Sequence, residues 1–236
     1  MNENQNKINV FFPFLIEIRR RIITVFLVFS VAAVIGVVFY EKIVTLFISL
    51  LDLKGATIIF TSPFEYMNLS INSGVVVGVI VTLPLIIYQL VNFFEPAMTK
   101  KEFQTFKNVI PLSLILFVAG FAVGFIMMKY VGVLSYQTSL KLGISSYLNI
   151  SSLLSTVLVT SSLMGIAFQF PIVLIFLIRF KIISYKLIAG KRPIAYILAI
   201  VFSSIMPPTD ILSLILLTIP LVILYEIVLL FTKNYQ

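Results

Sequence analysis

The sequence predicts an all-α fold that crosses a membrane several times, and three observations lead to that prediction. Of the 236 residues, 60% are hydrophobic and only 11% are charged, and the mean hydropathy is +1.13. A water-soluble domain of this size could not cover its surface with so few polar side chains. The apolar residues also fall in long runs separated by short connections, so residues 1–236 are expected to form a single membrane domain.

Six of these runs are expected to span the membrane. Their approximate bounds are 22–40, 69–93, 109–130, 153–178, 193–206 and 211–230. As a helix the fifth run would be only about 20 Å long, against a hydrocarbon core of about 30 Å, so a thinner bilayer or neighbouring helices must accommodate it.

The connections and the prolines refine this prediction. The apolar segment 43–53 is expected to form a short helix at the interface, and the Thr-Ser-Pro stretch 61–63 a turn that starts a helix. The Ser-rich segment 132–152 is expected to be a loop. Four spans contain a proline, which favours kinked helices and a curved, concave arrangement over a straight bundle. These prolines are Pro84, Pro111, Pro171 and Pro220.

The basic residues orient the predicted spans. If both ends of the chain are cytoplasmic, thirteen of the seventeen Lys and Arg residues lie inside and four lie outside. The positive-inside rule therefore favours an even number of spans with both termini in the cytoplasm. The same rule accounts for the net charge of +8, and the absence of a long basic run argues against nucleic acid as a partner.

The chain contains neither Cys nor His. This excludes disulfides, thiolate zinc sites and every mechanism that needs a Cys nucleophile or a His base. No cofactor or metal site can be assembled from the remaining groups, so an enzyme is not expected.

The candidate binding residues are carboxylates near the predicted inner face. Glu17 precedes three arginines, while Glu95 and Glu102 lie in the first inner loop. Glu17 and Glu102 each have two interpretations. Either the carboxylate forms an ion pair with neighbouring basic residues, or it belongs, like the other inner-loop carboxylates, to a site for an Arg-bearing ligand, because guanidinium and carboxylate groups pair in a two-pronged geometry.

Three further polar residues lie at or near the membrane. Gln169, within the fourth span, is expected to make an interhelical hydrogen bond or a partner contact. Asp210 is expected to cap the helix that starts at Ile211. Glu226, near the end of the sixth span, is expected near the inner interface, either solvated or in contact with a partner.

Three motifs resemble the TatC family, the multi-spanning core of the twin-arginine protein translocase. The stretch 15–21 (Leu-Ile-Glu-Ile-Arg-Arg-Arg) is similar to the family's amino-terminal Glu-Leu-Arg motif. The stretch 84–102 looks like the family's second span and first cytoplasmic loop, and 207–226 is similar to its turn into the sixth span. The resemblance covers nearly the whole chain and includes six spans.

The resemblance implies recognition of twin-arginine signal peptides on folded cargo at the cytoplasmic face. The positions that match the family's binding residues are Glu17, Arg19, Phe93, Pro96 and Glu102. Glu102 would be the main carboxylate partner of the arginine pair, with Glu17 contributing. The family also implies a glove-like fold in the cytoplasmic membrane of a prokaryote, export driven by the proton-motive force, small single-span partners of the TatA or TatB type, lipid contact and homo-oligomers within a complex.

The chain departs from the family pattern at four positions. Phe14 stands where the family usually has His, and Gln169 where Glu is common, so a polar group is kept at membrane depth without a charge. Thr209 looks like an insertion, and Leu214 replaces a common Gln. The alternatives to a receptor are a secondary transporter or channel for a small solute, for which Gln169 is the only midplane candidate, and a membrane-embedded enzyme.

Overall fold

The structure, a computed structural model, is almost entirely helical in the part it describes. Those residues are 3–51, 57–59, 62, 64–95, 103, 109–141, 147–179 and 182–232. The first half of the chain forms α1 (Glu3–Val38), α2 (Tyr40–Leu51), β1 (Thr57–Ile59), α3 (Glu65–Phe94) and α4 (Val109–Lys141). The second half forms β2 (Tyr147–Asn149), α5 (Ile150–Ala167), α6 (Phe170–Arg179), α7 (Tyr185–Gly190), α8 (Arg192–Ile205) and α9 (Ile211–Thr232).

The expected polytopic helical architecture is confirmed. Among the described residues, five stretches are long and apolar enough to cross a membrane, namely Ile16–Val38, Glu65–Phe93, Val109–Thr138, Ser151–Arg179 and Ile211–Thr232. The sixth, α8, is shorter, with 14 residues. At 1.5 Å per residue it is about 21 Å long, as expected for the fifth span.

The segment after the third span differs from the expectation. Helix α4 does not end near residue 130 but continues to Lys141: residues 131–141 contain no proline, and Gly132 alone does not end the helix. The expected loop 132–152 is therefore wrong in its first half. Its second half includes β2, which pairs in parallel with β1, with Ile58 opposite Leu148.

The fourth span is broken rather than merely kinked. Pro171 has no N–H to donate to the preceding turn, so the helix is interrupted just before it. Helix α5 ends at Ala167, and the N–H of Gln169 donates to the carbonyl of Ile166 (2.9 Å) in a tight turn. Helix α6 then begins at Phe170, with Pro171 in its first turn, where proline is tolerated.

The connection between the first two spans agrees with the predicted short helix. Helix α2 follows α1 directly, and Phe47 packs edge-on against Phe121 and Phe125 of α4. The Nζ of Lys129 donates to the carbonyl of Leu50 (2.8 Å) near the end of α2, which ties this helix to α4. Of the expected turn 61–63, only Ser62 lies within the described residues.

The packing centres on two helix pairs and on α5. Helix α1 lies along α3, and α4 lies along α5. The α1–α3 crossing is close because glycines face each other: a Cβ on Gly36 would lie 2.8 Å from the Cα of Gly74. Leu154, Leu158 and Met164 of α5 are fully buried and form the middle of the main apolar cluster. Helix α5 is therefore the central element, whereas α1 lies at the edge.

Candidate functional site

Arg21 connects α1 and α3 at one end of the molecule. It lies near the start of the apolar part of α1 and beside the end of α3. The Nη1 of Arg21 donates to both the main-chain carbonyl and the Oε1 of Gln89, each at 2.8 Å. The Cζ of Arg21 also lies 5.9 Å from the centre of the Phe93 ring, a cation–π distance. Arg21 thus contacts two positions one turn apart on α3.

The same arginine holds the first candidate carboxylate. The Nε of Arg21 donates to the Oε1 of Glu17 at 3.0 Å, and its Nη2 donates to the same oxygen. The Glu17 side chain is 44% exposed and that of Arg21 is 21% exposed. The ion-pair interpretation of Glu17 is therefore correct, since the partner lies four residues away on the same helix face. The carboxylate nevertheless faces solvent on its other side.

The remaining predicted binding residues are only partly described. Arg19 is exposed on α1, Phe93 is half-buried at the end of α3, and Glu95 is exposed just after it. Pro96 and Glu102 lie outside the described residues. The structure therefore brings Glu17 and Phe93 together through Arg21, and the segment that carries Pro96 and Glu102 follows directly from that end of α3.

A groove of about 810 Å³ runs from this cluster along α1, α3 and the broken fourth span. Its lining is almost entirely apolar, and its polar residues are Arg21, Thr82, Gln89 and Gln169.

Gln169 sits at the break between α5 and α6 and is buried. Its Nε2 donates to the carbonyl of Ser113 in α4 (3.1 Å) and to that of Gly165 (3.3 Å). The interhelical hydrogen bond expected at this position is confirmed. Its Oε1 is buried and accepts no hydrogen bond in the described part of the chain.

Asp210 caps α9, as expected. Its Oδ1 accepts from the main-chain N–H of Ser213 (2.8 Å) and its Oδ2 from the Ser213 hydroxyl (2.6 Å). Partial burial of the carboxylate opposes ionisation, but these hydrogen bonds outweigh it, so the pKa of Asp210 lies below its usual value. The ionised carboxylate is thus the form that the folded chain favours.

Glu226 takes part in a network between α8 and α9. Its Oε1 accepts from the hydroxyl of Tyr196 (2.6 Å) and lies 3.2 Å from the Nε of Arg192. The neighbouring Tyr225 donates its hydroxyl proton to the carbonyl of Ile188 in α7 (2.8 Å). The side chain of Glu226 remains 35% exposed, so the carboxylate is shared between two partners and solvent.

Comparison with known proteins identifies the family. A model of the family described as Sec-independent protein translocase protein (TatC) matches residues 13–220. The chain belongs to the TatC family. It is 28% identical over 218 residues to the Sec-independent protein translocase protein TatCy of Bacillus subtilis strain 168. This alignment covers 92% of this chain and 86% of that protein. It is 31% identical over 222 residues to TatC of Aquifex aeolicus strain VF5, which covers 89% of each.

Solved structures agree with the sequence comparison. A crystal structure of the twin-arginine translocase receptor TatC matches with a TM-score of 0.81 and 30% identity, over 92% of this chain and 98% of that one. A second crystal structure of the receptor matches with a TM-score of 0.78 and 28% identity. The chain is therefore a membrane-embedded component of a Sec-independent protein translocase and belongs to a transport family rather than an enzyme family.

Sequence reasoning missed the roles of Arg21 and Gln89. Both stood within the quoted motifs, but neither was given a function. The spacing of four residues between Glu17 and Arg21 was a usable signal, because residues at that spacing share a helix face. The contact with Gln89, 68 residues away, had no such signal.

Proposed function

We propose that this chain is the receptor that binds twin-arginine signal peptides of folded proteins at the cytoplasmic face. The observation that carries the proposal is the joining of α1 to the end of α3 through Arg21. This contact holds Glu17 and Phe93 at the point from which the segment with Pro96 and Glu102 departs. Carboxylates such as Glu17 and Glu102, and an aromatic ring such as Phe93, are suitable partners for a pair of guanidinium groups.

In this proposal both termini are cytoplasmic. The excess of Lys and Arg in the connections on the Arg21 end of the molecule supports this orientation. The carboxylates then face the compartment in which cargo proteins fold. Pro96 and Glu102 shape and charge the loop, Glu102 pairs with the arginines of the signal peptide, and Glu17 and Arg19 complete the surface.

The proposal also includes assembly with other subunits. Small single-span partners of the TatA or TatB type would lie against the exposed apolar faces of the spans, and export would be driven by the proton-motive force. Gln169, Asp210 and Glu226 are then the polar positions available near the membrane for partner contacts. Of these, Glu226 has a partly exposed carboxylate, whereas the free acceptor of Gln169 is buried in the structure.

The test is peptide binding to the purified protein in detergent. A twin-arginine signal peptide and its twin-lysine counterpart are titrated against the unaltered chain, Glu102→Gln and the matched control Glu95→Gln. Hydrogen bonds to charged groups contribute about 1.5–3 kcal/mol, so Glu102→Gln should weaken arginine-peptide binding by about tenfold or more. The control removes one charge from the same segment and should change the affinity less than twofold.

Two outcomes would contradict the proposal. Equal affinity for the arginine and lysine peptides would remove the basis for a twin-arginine receptor. Equal losses in Glu102→Gln and Glu95→Gln would show that only the overall charge of the loop matters, and the assignment of Glu102 would then be wrong.

A further inference from the structure

The guanidinium group of Arg21 contacts two helices at once, because its nitrogens point in different directions. One edge, Nε and Nη2, faces Glu17 on its own helix, while Nη1 faces Gln89 on the neighbouring helix. The planar group can do this without bending because its five N–H donors point in fixed directions. Its position over the Phe93 ring adds a contact one turn further along α3.

We call the contacts of Arg21 with Gln89 the joint between α1 and α3. Within this joint, the hydrogen bond to the main chain of Gln89 is the most rigid contact. A side-chain partner can change rotamer, but the Gln89 carbonyl is fixed by helix α3, so the bond of 2.8 Å fixes the distance between the two helix ends. Arg21 is also mostly buried, with 21% of its side chain exposed. A charged hydrogen bond that is shielded from water is stronger than one on the surface.

We propose that Arg21 is a positioning residue for signal-peptide recognition, an inference that rests on the proposed function. It does not touch the peptide. It occupies the Oε1 of Glu17 and leaves Oε2 available, and it fixes the spacing between that carboxylate and the Phe93 ring. Arg21 therefore lies beneath the surface that binds the peptide and determines how Glu17 and Phe93 are placed on it.

If Arg21 has this role, a lysine at the same position should not support binding of the twin-arginine peptide. A lysine keeps the charge, but its single ammonium group cannot reach Glu17 and both Gln89 acceptors in one plane. The variants are Arg21→Lys and Arg21→Gln, and the matched control is Arg20→Gln, which removes the same charge from an exposed neighbouring position. Both Arg21 variants should bind the twin-arginine peptide about tenfold more weakly, and the control should bind as the unaltered chain does.

A second measurement reports on the joint without any peptide. Because the chain has no cysteine, spin labels can be attached at Ile16→Cys and Tyr88→Cys, two exposed positions on α1 and α3. Pulsed electron spin resonance should give a narrow distance distribution in the parent and a broader or displaced one in Arg21→Lys. The melting temperature in detergent should fall by only a few degrees, since the long α1–α3 contact remains.

The outcomes separate this inference from the proposed function. Failure of the unaltered chain to prefer the arginine peptide would overturn the receptor proposal and this inference with it. If that preference holds but Arg21→Lys binds as tightly as the parent, only the positioning role is refuted. Additive losses for Arg21→Gln and Gln89→Ala in the double variant would also refute it, because residues that act through one joint give less than the sum of their effects.

Discussion

The clearest structural prediction concerns Gly124, one of the positions where α4 lies close against α5. A Cβ added there would lie 2.8 Å from the Cα of Ser161 and 3.0 Å from the Cβ of Met164. Carbon atoms attract each other best at about 3.5–4.0 Å, so the contact would be roughly 0.7 Å too short. The obstructing atoms belong to the main chain or are attached directly to it, so the helices themselves must separate. Overpacking of this kind costs about 1–3 kcal/mol.

The same helix provides the control. A Cβ on Gly132 would lie 3.6 Å from the Cδ1 of Leu153, an ordinary contact with a flexible side-chain end. Gly132→Ala should therefore leave stability unchanged or raise it by about 0.5–1 kcal/mol through helix propensity. Thermal unfolding in detergent, followed by the loss of the monodisperse peak in size-exclusion chromatography, ranks the two variants. Equal melting temperatures for Gly124→Ala and Gly132→Ala would refute the close approach of α4 and α5.

Three further predictions concern polar groups, each checked by the same unfolding measurement. Asp210→Ala should cost about 1 kcal/mol by removing the cap of α9, and Asp210→Asn much less. Since the folded pKa of Asp210 is lowered, the part of its contribution that depends on ionisation is complete above the unfolded value of about 3.9 and is lost as pH falls through the folded value; an Asp210→Asn deficit that does not shrink as pH falls would contradict this. Gln169→Leu should lower the stability by about 0.5–1.5 kcal/mol, because Gln169 donates a hydrogen bond to α4. Gln169→Glu at neutral pH should lower it at least as much, because a carboxylate has no N–H to donate. Unchanged stability in these variants would refute this. Tyr225→Phe should cost about 1 kcal/mol by freeing the carbonyl of Ile188, whereas Tyr185→Phe is the control.

The sequence predicted the helices better than their interruptions. Long apolar runs determine a transmembrane helix almost alone, because every main-chain polar group in a bilayer must be satisfied within the segment. The extension of α4 to Lys141 was missed because residues beyond Tyr130 are mixed in polarity, and polarity signals the end of the apolar core rather than the end of the helix. The pairing of β1 with β2 was missed because three-residue strands leave no periodic signal.

The candidate site was only half predictable for a similar reason. Asp210 and Gln169 were correctly interpreted because capping and burial depend on local sequence. The joint between Arg21 and Gln89 depends on how α1 and α3 cross, and that crossing is set by Gly36 and Gly74, far from either residue. Long-range contacts of this kind have no counterpart in the spacing of residues along the chain.

The charges at the proposed binding surface lead to a prediction about salt. Glu17 is already neutralised by Arg21 at hydrogen-bond distance, and in the proposed orientation the cytoplasmic face has many more basic than acidic residues. There is therefore no long-range electrostatic attraction between this face and a peptide with two arginines. Recognition of the peptide must depend on short-range hydrogen bonds, which become stronger when water is excluded. Because salt screens long-range interactions most, raising it from 50 to 500 mM should change twin-arginine peptide affinity by less than about threefold. A steep loss of affinity with salt would mean that attraction by the general field of the face, rather than fixed carboxylates, selects the peptide.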